Sequence, residues 1–143
     1  MAGVHGKDAY FSLEDSAGTT LRALSPYITN TTFARQNDTH DTSTYGVEGH
    51  TFITGLTNGT ITITGLYDTT ATVGSMTVLD SLVGLDAITL GWEYGPVGNA
   101  NGAVKYSGEC ILASLDQAAP VADLITFTAT LQISGDVTKG VFP

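Results

Sequence analysis

Residues 125–134 read ITFTATLQIS. Apolar Ile125, Phe127, Ala129, Leu131 and Ile133 alternate with polar Thr126, Thr128, Thr130, Gln132 and Ser134. Strict alternation marks a strand with one buried face. The other face is polar yet uncharged, whereas a strand open to water usually carries Lys or Glu. What a threonine-lined face without charge looks at is the question this strand poses.

The whole chain shares this chemistry. Its 143 residues include 23 Thr and 17 Gly, with only 13% charged side chains. Such a composition favours strands and turns over helices. One domain over 1–143 is expected, long enough to bury about 68–70% of its unfolded surface without disulfides or metals. Fourteen acidic against five basic side chains give a net charge of −9. That argues against gripping DNA through a basic patch or docking on an anionic membrane, but is compatible with DNA passing nearby. Cys110, the lone cysteine, reads as a buried small hydrophobe. The opening MAGVHGKDAY has no signal-peptide core and no segment reaches membrane-span length, so a protein made and kept in a cytoplasm is expected.

Along the chain, residues 1–7 read as a short arm. DAYFSLED is a strand with Tyr10 or Phe11 inward, TTLRALS pairs back on it, and a third strand starts after Pro26 at Tyr27. Residues 36–50, QNDTHDTSTYGVEGH, show neither apolar period and read as a long loop of the kind that is often functional. In TFITGLTNGTITITGLYD, Asn58-Gly59 between alternating runs is a hairpin-turn signal of type I′. GSMTVLDSLVG then changes period. Met76, Leu79 and Val83, widened by Val78 and Leu82, predict a short helix over about 74–84, capped by Ser75 and ended by Gly84. AITLGWEYG and AVKYSGECILASL are strands, the second with a bulge at Gly108, and DQAAPVAD is a loop. The fold class expected is mainly β: a β-sandwich or small barrel of two packed antiparallel sheets flanked by one short helix.

Catalytic constellations are missing from the sequence, so no enzyme and no cofactor is expected. Asp38, His40, Asp41, Glu48 and His50 are metal-ligating types, but a solvated acidic loop accounts for them and no metal site is assigned. Trp92 and Tyr94 lie two apart on one strand, an arrangement that serves either a core or a sugar-stacking platform. Glu93 and Glu109 are the carboxylates inside strong strand patterns; a glycosidase pair would need both in one cleft.

Four segments taken in order carry a resemblance: HDTSTYG with FITGLTNGTITITGLYD, the short helix, GWEYGPVGNANGAVKYSGECILAS, and APVADLITFTATLQISGDVTKGVF. From about Thr39 to Phe142 the chain resembles the major tail tube proteins of long, flexible-tailed phages. That resemblance implies subunits joined into stacked sixfold rings whose inner sheets form one β-barrel around a channel. The partners it implies are further copies of the chain, a tape-measure protein, tail terminator and tail-tip proteins, and phage DNA passing without specific binding. No membrane is involved. The protein would sit in the virion tail, and in the host cytoplasm during assembly. The loop 36–50, with Asp38, His40, Asp41, Thr44, Tyr45, Glu48 and His50, would reach the adjacent ring. Glu93, Glu109, Thr126, Thr128, Thr130 and Gln132 become candidates for the lumen or a subunit interface. Two other readings remain at this stage: a carbohydrate-binding β-sandwich module, or another phage structural protein such as a head decoration or baseplate component.

Overall fold

The computed structural model describes residues 5–16, 18, 20–72, 74–84 and 89–143, so the first four residues of the expected arm 1–7 lie outside the described residues. Among these residues seven strands form: β1 Tyr10–Glu14, β2 Leu21–Ala23, β3 Ile28–Asp41, β4 Phe52–Leu66, β5 Leu90–Gly95, β6 Val104–Ala118 and β7 Thr126–Val141, with one α-helix, α1 Ser75–Asp80, and two short 3-10 turns. All pair antiparallel, in the order β2-β1-β5-β6-β7-β4-β3.

The two sheets expected from the sequence are therefore one. In a flat sheet, β3 and β5 would stand roughly 19 Å apart, four strand spacings of about 4.8 Å. Instead the rings of Phe33 on β3 and Trp92 on β5 meet edge to face at 5.5 Å. The sheet curls on itself without closing, and a core fills the concavity. Phe11, Leu13, Ile61, Ile63, Trp92, Phe127 and Leu131 are buried there. Bulges between Ser107 and Glu109, as Gly108 suggested, and between Leu112 and Ser114 permit the bending.

Helix α1 plugs this concavity with Met76, Val78 and Leu79, and Leu82 follows in the next turn. It is shorter than 74–84, and Val83 is exposed rather than part of the stripe. Ser75 does not cap it. Its hydroxyl donates instead to the Leu66 carbonyl (2.8 Å), tying the helix to the end of β4. Gly84 does stop the chain in the left-handed region, at φ +78°.

Two expectations about the middle of the chain are corrected. Residues 36–41 belong to β3, not to a loop, so the connection narrows to 42–51. Asn58 and Gly59 are no hairpin turn. They lie within β4, opposite Gln36 and Arg35, and Gly59 is absent from the positive-φ glycines. The long pairing of β3 with β4 overrides the local turn preference. Likewise DQA, expected in a loop, continues β6.

Candidate assembly and channel surface

The polar residues of β7 do not stand alone. On β4, Thr60, Thr62 and Thr64 lie opposite Gln132, Thr130 and Thr128. On β3, Thr32 and Asn30 lie opposite Thr62 and Thr64. On β6, Ser114 and Asp116 lie opposite Thr130 and Thr128. Residues directly opposed across antiparallel strands share a face. A hydroxyl-rich surface therefore spans four strands, with the core on its reverse side. Within this set Asp116 is the only charge.

The same face continues to the carboxylates. Glu109 stands opposite both Ser134 and Gly91, and Glu93 opposite Ser107. All six candidate residues, Glu93, Glu109, Thr126, Thr128, Thr130 and Gln132, thus share one side of one sheet. Glu93 is held by Lys105 at 3.1 Å, and Glu14 Oε1 accepts the Gly91 N–H at 2.6 Å. Arg35 points the other way. Its guanidinium lies over the rings of Phe33 (5.1 Å) and Tyr106 (5.2 Å). Cys110 is buried as expected; burial first, and then Glu109 and Glu14, push its thiol up to about 12.

Among the described residues, two stretches of open strand edge flank the Thr face, apart from short β2 at the far end of the sheet and the arm itself. β3 pairs only with β4, over a length of fourteen residues. β5 covers β6 only from Tyr106 to Cys110, which leaves Ile111–Ala118 bonded on the β7 side alone. Neither stretch contains Lys or Pro, the residues that usually blunt an exposed edge.

Beyond the Thr60–Gln132 pair, β3 and β4 continue as a two-stranded arm. Eight residues from Phe52 to Gly59 carry it roughly 25 Å further. At its tip Ser43 N–H donates to Asp41 Oδ1 (2.8 Å), which with the Ser43 side chain holds the Asp41 carboxyl below its usual range. His50 Nδ1 lies 3.5 Å from Asp41 and 3.4 Å from the Ser43 hydroxyl. Both contacts use the same ring nitrogen on exposed side chains, so this is no catalytic triad. Among the described residues no three His, Cys, Asp or Glu side chains cluster as a metal site. Asp38, His40, Thr44, Tyr45 and Glu48 are all exposed along the same arm.

Sequence reasoning missed three arm residues. Phe52, Ile53 and Leu56 are exposed, Leu56 at 79%, although they sit in one of the runs flanking Asn58-Gly59. Their signal was the featureless polar partner strand opposite them. Of the two uses open to Trp92 and Tyr94, the structure shows the core: Trp92 is buried and Tyr94 packs against Phe33 and Tyr106.

The architecture is a curled antiparallel sheet with one hydroxyl-rich face, two open edges flanking that face and a projecting arm. Several solved structures share the fold. One is the tail of an empty gene transfer agent particle with C6 symmetry (TM-score 0.76, 12% identity, covering 97% of this chain and 100% of that one). Another is the SPP1 tail tube (TM-score 0.75, 14% identity, 99% and 81%). A third comes from the sixfold-symmetrised baseplate of the anti-feeding prophage (TM-score 0.68, 7% identity, 99% and 97%). The chain has the tail tube fold. No protein-family model and no curated sequence matches it.

Proposed function

We propose that this protein is the structural subunit of a phage-type tail tube. The observation that carries this reading is the pair of open edges on either side of the four-strand Thr face. Pairing the β3 edge of one subunit with Ile111–Ala118 of the next extends the sheet laterally and removes both aggregation-prone edges. Six subunits, as in the C6 tail that shares the fold, would join β6, β7, β4 and β3 into a barrel of about 24 strands. At about 4.8 Å per strand it closes roughly 37 Å across, and strand tilt widens it.

In that barrel the curl and the core lie outside, and the Thr face lines the lumen. Hydroxyls there hydrate the wall without trapping phosphate, since no exposed Arg or Lys stands among them. Asp116 and Glu109, both on β6, make the wall weakly repelling, while Glu93 on β5 is neutralised by Lys105. The arm, with Asp38, His40, Asp41, Thr44, Tyr45, Glu48 and His50, reaches the adjacent ring. A two-stranded ribbon is marginal alone and gains its order by packing on a neighbour. The role is structural, not enzymatic. Tape-measure, terminator and tail-tip proteins are the further partners, and the virion tail is the location.

A baseplate component would share this fold but stop at a single ring. Negative-stain microscopy of the concentrated protein separates the two. The tube subunit forms extended stacks of rings; isolated rings favour the baseplate, and monomer at every concentration and salt contradicts both.

A further inference from the structure

The four-strand face has two unlike ends. At one, where Gly59 pairs Arg35 and Thr60 pairs Gln132, the arm leaves the sheet. A groove of about 810 Å³ opens at its base, lined by Arg35, Gln36, Leu56, Ile133, Asp136 and Val137 among others. At the other end, where Leu66 and Ala118 both stand opposite Thr126, the β6–β7 connection 119–125 projects. Its turn is closed by Asp123 N–H on the Pro120 carbonyl (3.5 Å). Val121 is fully exposed there, Leu124 is 64% exposed, and Asp123 stands between them.

We infer that the groove at the arm's base receives the β6–β7 tip of a second copy in the next ring, Val121 and Leu124 covering Leu56 and Asp123 meeting Arg35. The inference rests on the tube reading and names the partner of the core-side face at the arm's base. Three observations favour this occupant. Arg35 lies over two adjoining aromatic rings, yet among the described residues its N–H groups have no acceptor. It thus presents a cation held by the rings in a chain with only five basic side chains, so few other places on a copy of the chain can receive the Asp123 carboxylate. The tip supplies a carboxylate flanked by two apolar side chains, and the groove supplies a cation beside exposed Leu56. Finally, groove and tip lie at opposite ends of the same strands, about 20 Å apart along β4. A contact between unlike ends of identical subunits is head-to-tail; displaced along the strands rather than around the ring, it repeats along an axis.

The test is a pair of cysteines, Leu56→Cys with Val121→Cys. Both positions are exposed, so the fold is retained, and native Cys110 is buried. Under oxidised glutathione the double variant is expected to give covalent ladders running well past six subunits on denaturing gels. Each single variant should stop at dimers. A ladder capped at six would place the contact within a ring and overturn the inference. Tubes visible by microscopy without any ladder would overturn it too, leaving the tube reading intact. Neither assemblies nor cross-links would overturn both. Charge reversal is an independent readout: Arg35→Glu and Asp123→Arg each shorten tubes, and the two together restore them. Unaltered tubes in both single variants contradict the contact.

Discussion

Phe33 meets Trp92 at 5.5 Å, edge to face, although β4, β7 and β6 lie between their strands in the sheet. This contact is where the curl closes over the core. Phe33 also touches Tyr94 (5.6 Å) and Tyr106 (5.3 Å), so one side chain from the edge strand gathers three rings from β5 and β6. Phe33→Ala removes all three contacts and the support under Arg35. Because Phe33 is only partly buried, a loss of about 2–3 kcal/mol is expected, under the range for a fully buried Phe, read as a lower urea midpoint with little change in slope. A loss below about 1 kcal/mol would mean that the curl is held elsewhere.

Gly59 gives a second prediction. A Cβ there would lie 2.9 Å from the Ala34 carbonyl and 3.0 Å from Ile133 Cδ1. Gly59→Val is therefore destabilising through crowding against a neighbouring backbone, not through a forbidden φ. About 1–3 kcal/mol is expected. Asn58→Ala, which loses only the amide contact from Gln132 (2.8 Å) on an exposed surface, should cost under about 1 kcal/mol. Equal effects in the two variants would argue against the crowding account.

Shortening the arm separates folding from assembly. Asn37 and Thr57 are directly opposed, so the chain between them can be replaced by a two-residue Asn-Gly turn. Everything removed is exposed apart from half-buried Ser43, so the melting temperature should stay within a few degrees of the parent. Tubes should be lost. Arm-shortened protein that forms tubes of ordinary length would remove the arm from ring stacking.

Thr62 sits mid-strand at the centre of the polar face, opposite Thr32 and Thr130 and away from both open edges. Thr62→Lys should leave rings and tubes intact while placing six ammonium groups per ring against the phosphates. DNA release from particles built with this variant should slow or stop, most severely at low salt. Release at the normal rate would mean that the Thr face does not line the conduit.

The strands that bury one side were legible because burial writes a period of two. Ile125 to Ser134 and Thr60 to Leu66 carry it clearly, and the structure pairs them. The arm was not legible for the same reason. Gln36–Asp41 is exposed on both faces, so nothing in QNDTHD selects one side, and a paired strand reads as a loop. Asn58-Gly59 carried a strong local turn preference, yet register with Gln36 and Arg35 decided its conformation. One curled sheet and two stacked ones demand the same alternation, so the Phe33–Trp92 contact could be found only in three dimensions. The candidate face was half legible. The Thr residues of β7 stood out, but their alignment with β4, β3 and the two glutamates depends on register that no single strand encodes.

The central claim is that the four-strand Thr face becomes the inner wall of a closed ring. Electron cryo-microscopy of the assembled protein tests it most directly. The account predicts sixfold rings with a continuous barrel, β3 of each subunit hydrogen-bonded to Ile111–Ala118 of its neighbour, and Thr62, Thr64, Thr128 and Thr130 facing the channel. Rings joined without strand pairing, or with those threonines on the outer surface and the arm's apolar side chains in solvent, would contradict it.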